Sequence, residues 1–260
     1  MTNTDSVKRY YFSHQDLRLS YLDNGVISDE MPVIMLHGFT ASAESNWQTT
    51  GWIEELTKAN RRVIALDARG HGDSDKPYDS KVYPSNVMIT DSLYLMEQLN
   101  IAQADFIGYS MGARMSAFAA INYPEKVRKV VFGGMGGNFK KGMTNSGLIA
   151  DALIADNLKQ VSDRYARRFR RLAELGGNDL TALAHCILSS RQKLDIDSLA
   201  KIKAKSLILV GVDDEIAGNP YELQSDILDS QVTVINGCNH FNALSNSAFR
   251  HSAIDFILRG

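Results

Sequence analysis

The sequence predicts an α/β protein, with a mostly parallel eight-stranded sheet flanked by helices and interrupted by a helical insertion. Three observations predict it. Short apolar runs alternate with stretches whose apolar residues recur at helical spacing, the rhythm of β-α-β units. Several runs end in glycine-bearing turns of the kind that carry binding groups at the carboxyl edge of an open sheet. The rhythm lapses between about residues 138 and 205, where no strand signal occurs, and then resumes. The expected division is a core of residues 1–137 and 206–260 with a helical cap of residues 138–205.

Taken in order, Arg9-Tyr10-Tyr11-Phe12 and Leu17 to Leu22 read as an edge hairpin joined by a polar turn. Pro32-Val33-Ile34-Met35-Leu36 is apolar throughout, as a strand covered on both faces should be. The turn after it, His37-Gly38-Phe39-Thr40, places the Phe39 N–H where a ligand can meet it. Trp47 to Lys58 has helical spacing, and Arg62 to Asp67 is the next buried strand. Ala68 to Ser74 is a glycine-punctuated loop without phosphate-binding spacing, so it reads as structural, with His37 and His71 shaping turns. Asn86 to Leu99 is an amphipathic helix, Asp105-Phe106-Ile107 a strand, and the helix after it stops at Pro124. Lys129 to Phe132 gives another strand. The insertion then offers helical pieces at Leu148 to Leu175 and Leu180 to Leu188. Arg164, Arg167, Arg168, Arg170 and Arg171 crowd the first of these and read as a solvated face. Ser206 to Gly211 and Val232 to Ile235 complete the strands, with helices at Pro220 to Leu228 and Ala248 to Leu258.

Composition narrows the partners. The 260 residues are 44% apolar with a formal charge of −2, which suits one globular core and gives no reason to expect nucleic acid or an anionic membrane. A small-molecule substrate is expected. The polar start and the lack of a long apolar run point to a cytoplasmic protein. Cys186 and Cys238 lack metal-ligand spacing and read as free thiols.

The chemistry concentrates at Gly108-Tyr109-Ser110-Met111-Gly112, a Gly-x-Ser-x-Gly between a strand and a helix. In that setting the serine sits on a strained turn with its hydroxyl projecting, so Ser110 is the candidate nucleophile. A serine needs a base to take its proton and an acid to orient that base. His240 follows the last strand on the same sheet edge, and Asp213-Asp214 follow the strand before it. Ser, Asp and His then fall in the chain order this fold uses; of the two aspartates, Asp214 is preferred.

At these residues the chain resembles the α/β-hydrolase superfamily, serine esterase-like members with a small helical cap, over essentially its whole length. His37-Gly38-Phe39 resembles the family's oxyanion turn, Asp67-x-Arg69-Gly70-His71-Gly72-x-Ser74 its loop after the fourth strand, and Gly108 to Gly112 its elbow. By that resemblance the amides of Phe39 and Met111 form the oxyanion hole, and Asp214 stands where the acid usually stands. No cofactor or metal is expected. The implied function is a carboxylesterase acting on small to medium acyl groups through an acyl-enzyme. A second reading is similar to the menaquinone-pathway synthase that eliminates pyruvate, on His37 to Thr40 with Trp47 and on the elbow with Arg114, whose side chain reads as an exposed ion pair or a carboxylate contact. Carbon–carbon hydrolases of ring-cleavage products share the Ser-Met-Gly elbow and rank third, because Phe39-Thr40-Ala41-Ser42 replaces their glycine- and proline-rich turn. A ligand receptor is the non-catalytic alternative. Serine at 110, rather than aspartate, disfavours dehalogenase and epoxide-hydrolase chemistry.

Overall fold

The computed structural model describes residues 7–142 and 145–259. Eight strands form one sheet: β1 (Lys8–His14), β2 (Leu17–Asp23), β3 (Val33–Leu36), β4 (Val63–Leu66), β5 (Ala104–Tyr109), β6 (Val127–Gly133), β7 (Lys205–Gly211) and β8 (Ser230–Ile235). Their order across the sheet is β1-β2-β4-β3-β5-β6-β7-β8. Only the β1/β2 and β2/β4 pairs are antiparallel. From β4 to β8 every pair is parallel.

The uninterrupted apolar runs have a direct cause. Ile34, Leu36, Ile64, Leu66 and Phe106 feed one core, whereas Val33, Met35, Val63, Ala65 and Ile107 feed the other. Alternate residues of a strand face opposite ways, so a sheet covered twice needs apolar residues at every position. The first core packs under α2 (Ser85–Gln98) and α3 (Met111–Asn122), and the second under α1 (Trp52–Lys58) and α10 (Ser247–Leu258). The helix expected from Trp47 is shorter than its spacing suggests: a wide turn at Glu44–Gln48 precedes it, and Gly51, at φ +83°, breaks the path before α1. Glycine is suited to that left-handed conformation.

Between β6 and β7 the chain forms α4 (Asn138–Lys141), α5 (Ser146–Ile154), α6 (Arg164–Leu175), α7 (Leu180–Ser189) and α8 (Ile196–Leu199), with no strand among the described residues there. The long helical piece read from Leu148 to Leu175 is two helices. Asp163 starts the second by accepting from the Ala166 N–H at 2.8 Å. The arginine run is not uniformly solvated either. Arg170 is buried, bonded to the carbonyls of Ala152, Leu153 and Ala155, and paired with Glu174 at 2.7 Å. It satisfies the carbonyls at the end of α5, which an arginine fork does well. Met135 and Ile149 border a cavity, as does Tyr165, while Leu148 is exposed and Leu153 lies in the core. Met143 lies outside the described residues.

Two buried histidines make the fold acid-sensitive. Burial, with His37 nearby, pushes His71 down to about 3, and burial also lowers His37. The unfolded chain binds these protons near pH 6.5, above the folded values, so the unfolded state holds more protons and stability falls as pH drops below about 6.5. Each histidine adds a slope of up to about 1.4 kcal/mol per pH unit. His71→Asn can keep the donor to the Arg69 carbonyl, 3.1 Å from Nδ1. Urea unfolding between about pH 6 and 4.5 should show a slope shallower by roughly one proton in this variant; an unchanged slope would contradict the assignment.

Candidate active site

Four loops at the carboxyl ends of β3, β5, β7 and β8 meet over one edge of the sheet, where an open α/β sheet binds ligands. Ser110 ends β5 with φ +52°, a left-handed conformation rare for a side-chain-bearing residue. Its neighbours permit the sharp turn. A Cβ on Gly108 would lie 2.4 Å from the Gly112 oxygen, and one on Gly112 only 1.9 Å from the Leu36 oxygen. The close approach at Gly112 presses the first turn of α3, with the Met111 amide, against the end of β3.

Ser110 Oγ lies 2.9 Å from His240 Nε2, and His240 Nδ1 lies 3.0 and 2.9 Å from the two Asp214 oxygens. With Nδ1–H donating to the carboxylate, Nε2 is free to accept from the serine hydroxyl. Asp214 is buried and its Oδ1 also accepts the N–H groups of Ile216 and Ala217, at 3.0 and 2.9 Å. Asp213 is exposed, which separates the two aspartates that sequence position left adjacent. The arrangement can deprotonate a hydroxyl and hold an imidazolium against a fixed carboxylate.

Phe39, Gly38, Ser110 and His240 border a cavity of about 340 Å³, so both amides proposed for an oxyanion lie beside the serine, Phe39 on the cavity wall and Met111 directly after Ser110. The Gly38 N–H is occupied by Asn46 Oδ1 at 2.9 Å. Two supports escaped sequence reading. The Tyr109 hydroxyl donates to the His240 carbonyl at 2.5 Å, and burial, with Asp214 nearby, raises its pKa well above the usual phenol value, so it stays a donor. Asn46 holds the turn from the far side of the loop. Neither has a local signal, because their partners lie 131 and 8 residues away.

A second cavity, about 260 Å³, lies under the cap and shares Phe169 with the first. Arg114 and Arg191 border it. Arg114 is not the exposed ion pair that its spacing suggested. It is buried and donates to the carbonyls of Asn138 and Phe139, each at 3.2 Å, and to that of Gln192, tying both ends of the cap to α3. Its Nε, and Nε and Nη2 of Arg191, are shielded from solvent and have no hydrogen-bond partner among the described residues. Among those residues neither guanidinium has a carboxylate in ion-pair range. Burial lowers Arg191 to about 10 and, with Arg191 nearby, Arg114 to about 9. Arg114 is buried and Arg191 half-buried, and Glu215, which also borders the cavity, pairs with Arg164 and not with either of them, so an anion bound here would supply them a charge partner. The Arg191 guanidinium carbon lies 5.9 Å from the centre of the Phe39 ring, close to the oxyanion turn. No group of three or more metal-ligating side chains occurs among the described residues.

The comparisons agree with this architecture. A family described as the α/β hydrolase fold matches residues 31–135. A putative 2-succinyl-6-hydroxy-2,4-cyclohexadiene-1-carboxylate synthase of Bacillus subtilis (strain 168) is 35% identical over 115 residues, 44% of this chain and 40% of that protein. A 2-hydroxy-6-oxononadienedioate/2-hydroxy-6-oxononatrienedioate hydrolase of Escherichia coli O81 (strain ED1a) is 29% identical and covers 94% of this chain and 92% of its own. An α/β-hydrolase enzyme from a Medee basin deep-sea metagenome superposes with a TM-score of 0.81 at 21% identity, covering 96% of this chain and 98% of that one. With the sheet order and the elbow already in place, these matches show that the chain has the α/β-hydrolase fold.

Proposed function

We propose that the protein is a serine hydrolase that breaks a carbon–carbon bond in a small carboxylate-bearing ketone of the ring-cleavage type. The observation that carries this reading over a simple ester hydrolase is the pair of guanidiniums under the cap, Arg114 buried and Arg191 half-buried, whose Nε atoms and Arg191 Nη2 have no hydrogen-bond partner among the described residues. A neutral ester gives them nothing to bind. An acid gives Arg191 a charge-assisted partner in a shielded site. The relative that spans nearly the whole chain supports the same choice, since its name is that of a hydrolase of such acids. The carboxylesterase reading, first on sequence grounds, therefore ranks lower.

In this reading Ser110 gives its proton to His240 and attacks the ketone carbon, and the Phe39 and Met111 amides receive the oxyanion. The carbon–carbon bond then breaks and its electron pair leaves with the carbon fragment, which His240 protonates. Such a carbon leaves readily only if its charge spreads along a conjugated chain, and a carboxylate at the far end held by Arg191 fixes that chain in place. Water, deprotonated by His240, finally releases the acyl group from Ser110.

Arg191→Met tests the substrate class. With 2-hydroxy-6-oxononadienedioate, kcat/KM should fall about 30-fold or more, the cost of deleting one member of a buried charge pair, whereas neutral p-nitrophenyl acetate should lose less than about threefold. Equal losses on both would remove the argument for an acid. A second reading, elimination of pyruvate, is favoured by the 35% identity to the Bacillus subtilis protein. Detection of released pyruvate without water incorporation would select it.

A further inference from the structure

His37 is fully buried beneath the oxyanion turn, and two contacts define which of its nitrogens carries the proton. The Ala68 N–H lies 3.0 Å from Nε2, and a backbone amide can only donate. Nε2 is therefore the bare nitrogen, and the proton sits on Nδ1, which lies 2.8 Å from the Gly38 carbonyl oxygen. We infer that His37, in its Nδ1–H form, is a positioning residue that aims the Phe39 amide at the reacting oxygen by holding the Gly38 carbonyl on the opposite side of the same peptide plane.

The peptide bonds of the described residues are all trans, so the Gly38 C=O and the Phe39 N–H point in opposite directions. Gripping the carbonyl from the buried side turns the N–H outward, toward the cavity that Phe39 shares with Ser110. The other half of the turn is fixed separately, by Asn46 on the Gly38 N–H. Two adjoining peptides are thus pinned by two side chains, leaving the Phe39 N–H as the group facing the cavity. Burial lowers His37 below the ordinary imidazole range, which keeps Nε2 bare for Ala68. The neighbouring His71 ring, 5.1 Å away, is neutral for the same reason and adds no charge that would compete for the Gly38 oxygen. A pre-aimed donor costs nothing to reorganise as charge develops, so losing its aim should appear in the transition state and not in substrate binding.

This inference rests on Ser110 being the nucleophile, and the test separates the two. Asparagine can place its amide nitrogen near the position of Nδ1 and so keep a side-chain donor for Gly38, whereas glutamine reaches the position of Nε2, accepts from Ala68 and leaves the Gly38 carbonyl only the longer bond from the Ala41 N–H, at 3.3 Å. With p-nitrophenyl acetate, His37→Gln should lose about 100-fold in kcat with KM within about threefold. Phenylboronic acid, which forms a tetrahedral adduct on a reactive serine, should bind about 100-fold more weakly. His37→Asn should restore kcat to within about tenfold of the wild type. Equal impairment of the two variants, or a loss confined to KM, would overturn the positioning role. A third measurement needs no variant: histidine ¹⁵N chemical shifts of the wild type should report an Nδ1–H tautomer for His37, and an Nε2–H tautomer would overturn the inference whether or not the variants fold. Undiminished turnover in Ser110→Ala would instead sink the nucleophile assignment, leaving the tautomer result to stand alone.

Discussion

Ser110→Ala should reduce turnover by on the order of 10⁴-fold or more while leaving the protein folded. The loss should be large because in the proposed mechanism the hydroxyl forms the covalent bond, and it lies 2.9 Å from His240 Nε2, the proposed acceptor of its proton. The fold should survive because the hydroxyl contributes one hydrogen bond, worth about 1 kcal/mol, and the glycines around it hold the turn. A Tm within about 4 °C of wild type is expected. Far-ultraviolet circular dichroism and steady-state kinetics on the same preparation check both halves. An alanine variant that keeps more than a tenth of the wild-type rate would mean that the serine is not the nucleophile.

Gly112→Ala is expected to damage stability more than any other single methyl in the site. The added carbon would sit 1.9 Å from the Leu36 oxygen, 2.4 Å from its carbonyl carbon and 2.8 Å from the His37 oxygen. All three are backbone atoms of β3 and its exit, which cannot swing aside as a side chain tip can. The first turn of α3 must therefore lift off the strand. Urea denaturation should show a loss of about 3 kcal/mol or more, and the Met111 amide should be displaced from Ser110, so residual folded protein should be nearly inactive. Ala113, one position on, is fully buried yet accommodated. A near-normal midpoint for Gly112→Ala would show that α3 can move away from β3 at little cost.

The parts of this molecule legible in its sequence were those written in local pattern. The parallel strands announce themselves as apolar runs because both sheet faces are covered, and the elbow does so because its glycines are needed within a few residues of Ser110. His240 and the pair Asp213-Asp214 follow from their places after β8 and β7, and burial of Asp214 separates the pair. Burial of charge was illegible. Arg170 sits in a run of arginines that reads as solvent-facing, and only the fold brings it beneath the end of α5. Arg114 has the spacing of a surface residue on α3, but the two ends of the cap close over it. Arg191 carries no motif, and the unpartnered state of its Nε and Nη2 among the described residues is a property of the assembled cavity. For the proposed acid substrate, the guanidiniums that would bind it are brought together by tertiary contacts and not by a local motif.

The most direct test of that reading is the rate of loss of the conjugated chromophore of 2-hydroxy-6-oxononadienedioate, measured with wild type beside Ser110→Ala and set against hydrolysis of p-nitrophenyl acetate. The account predicts serine-dependent cleavage of the acid at a kcat/KM at least about tenfold above that for the ester. Efficient ester hydrolysis with no cleavage of the acid would contradict it.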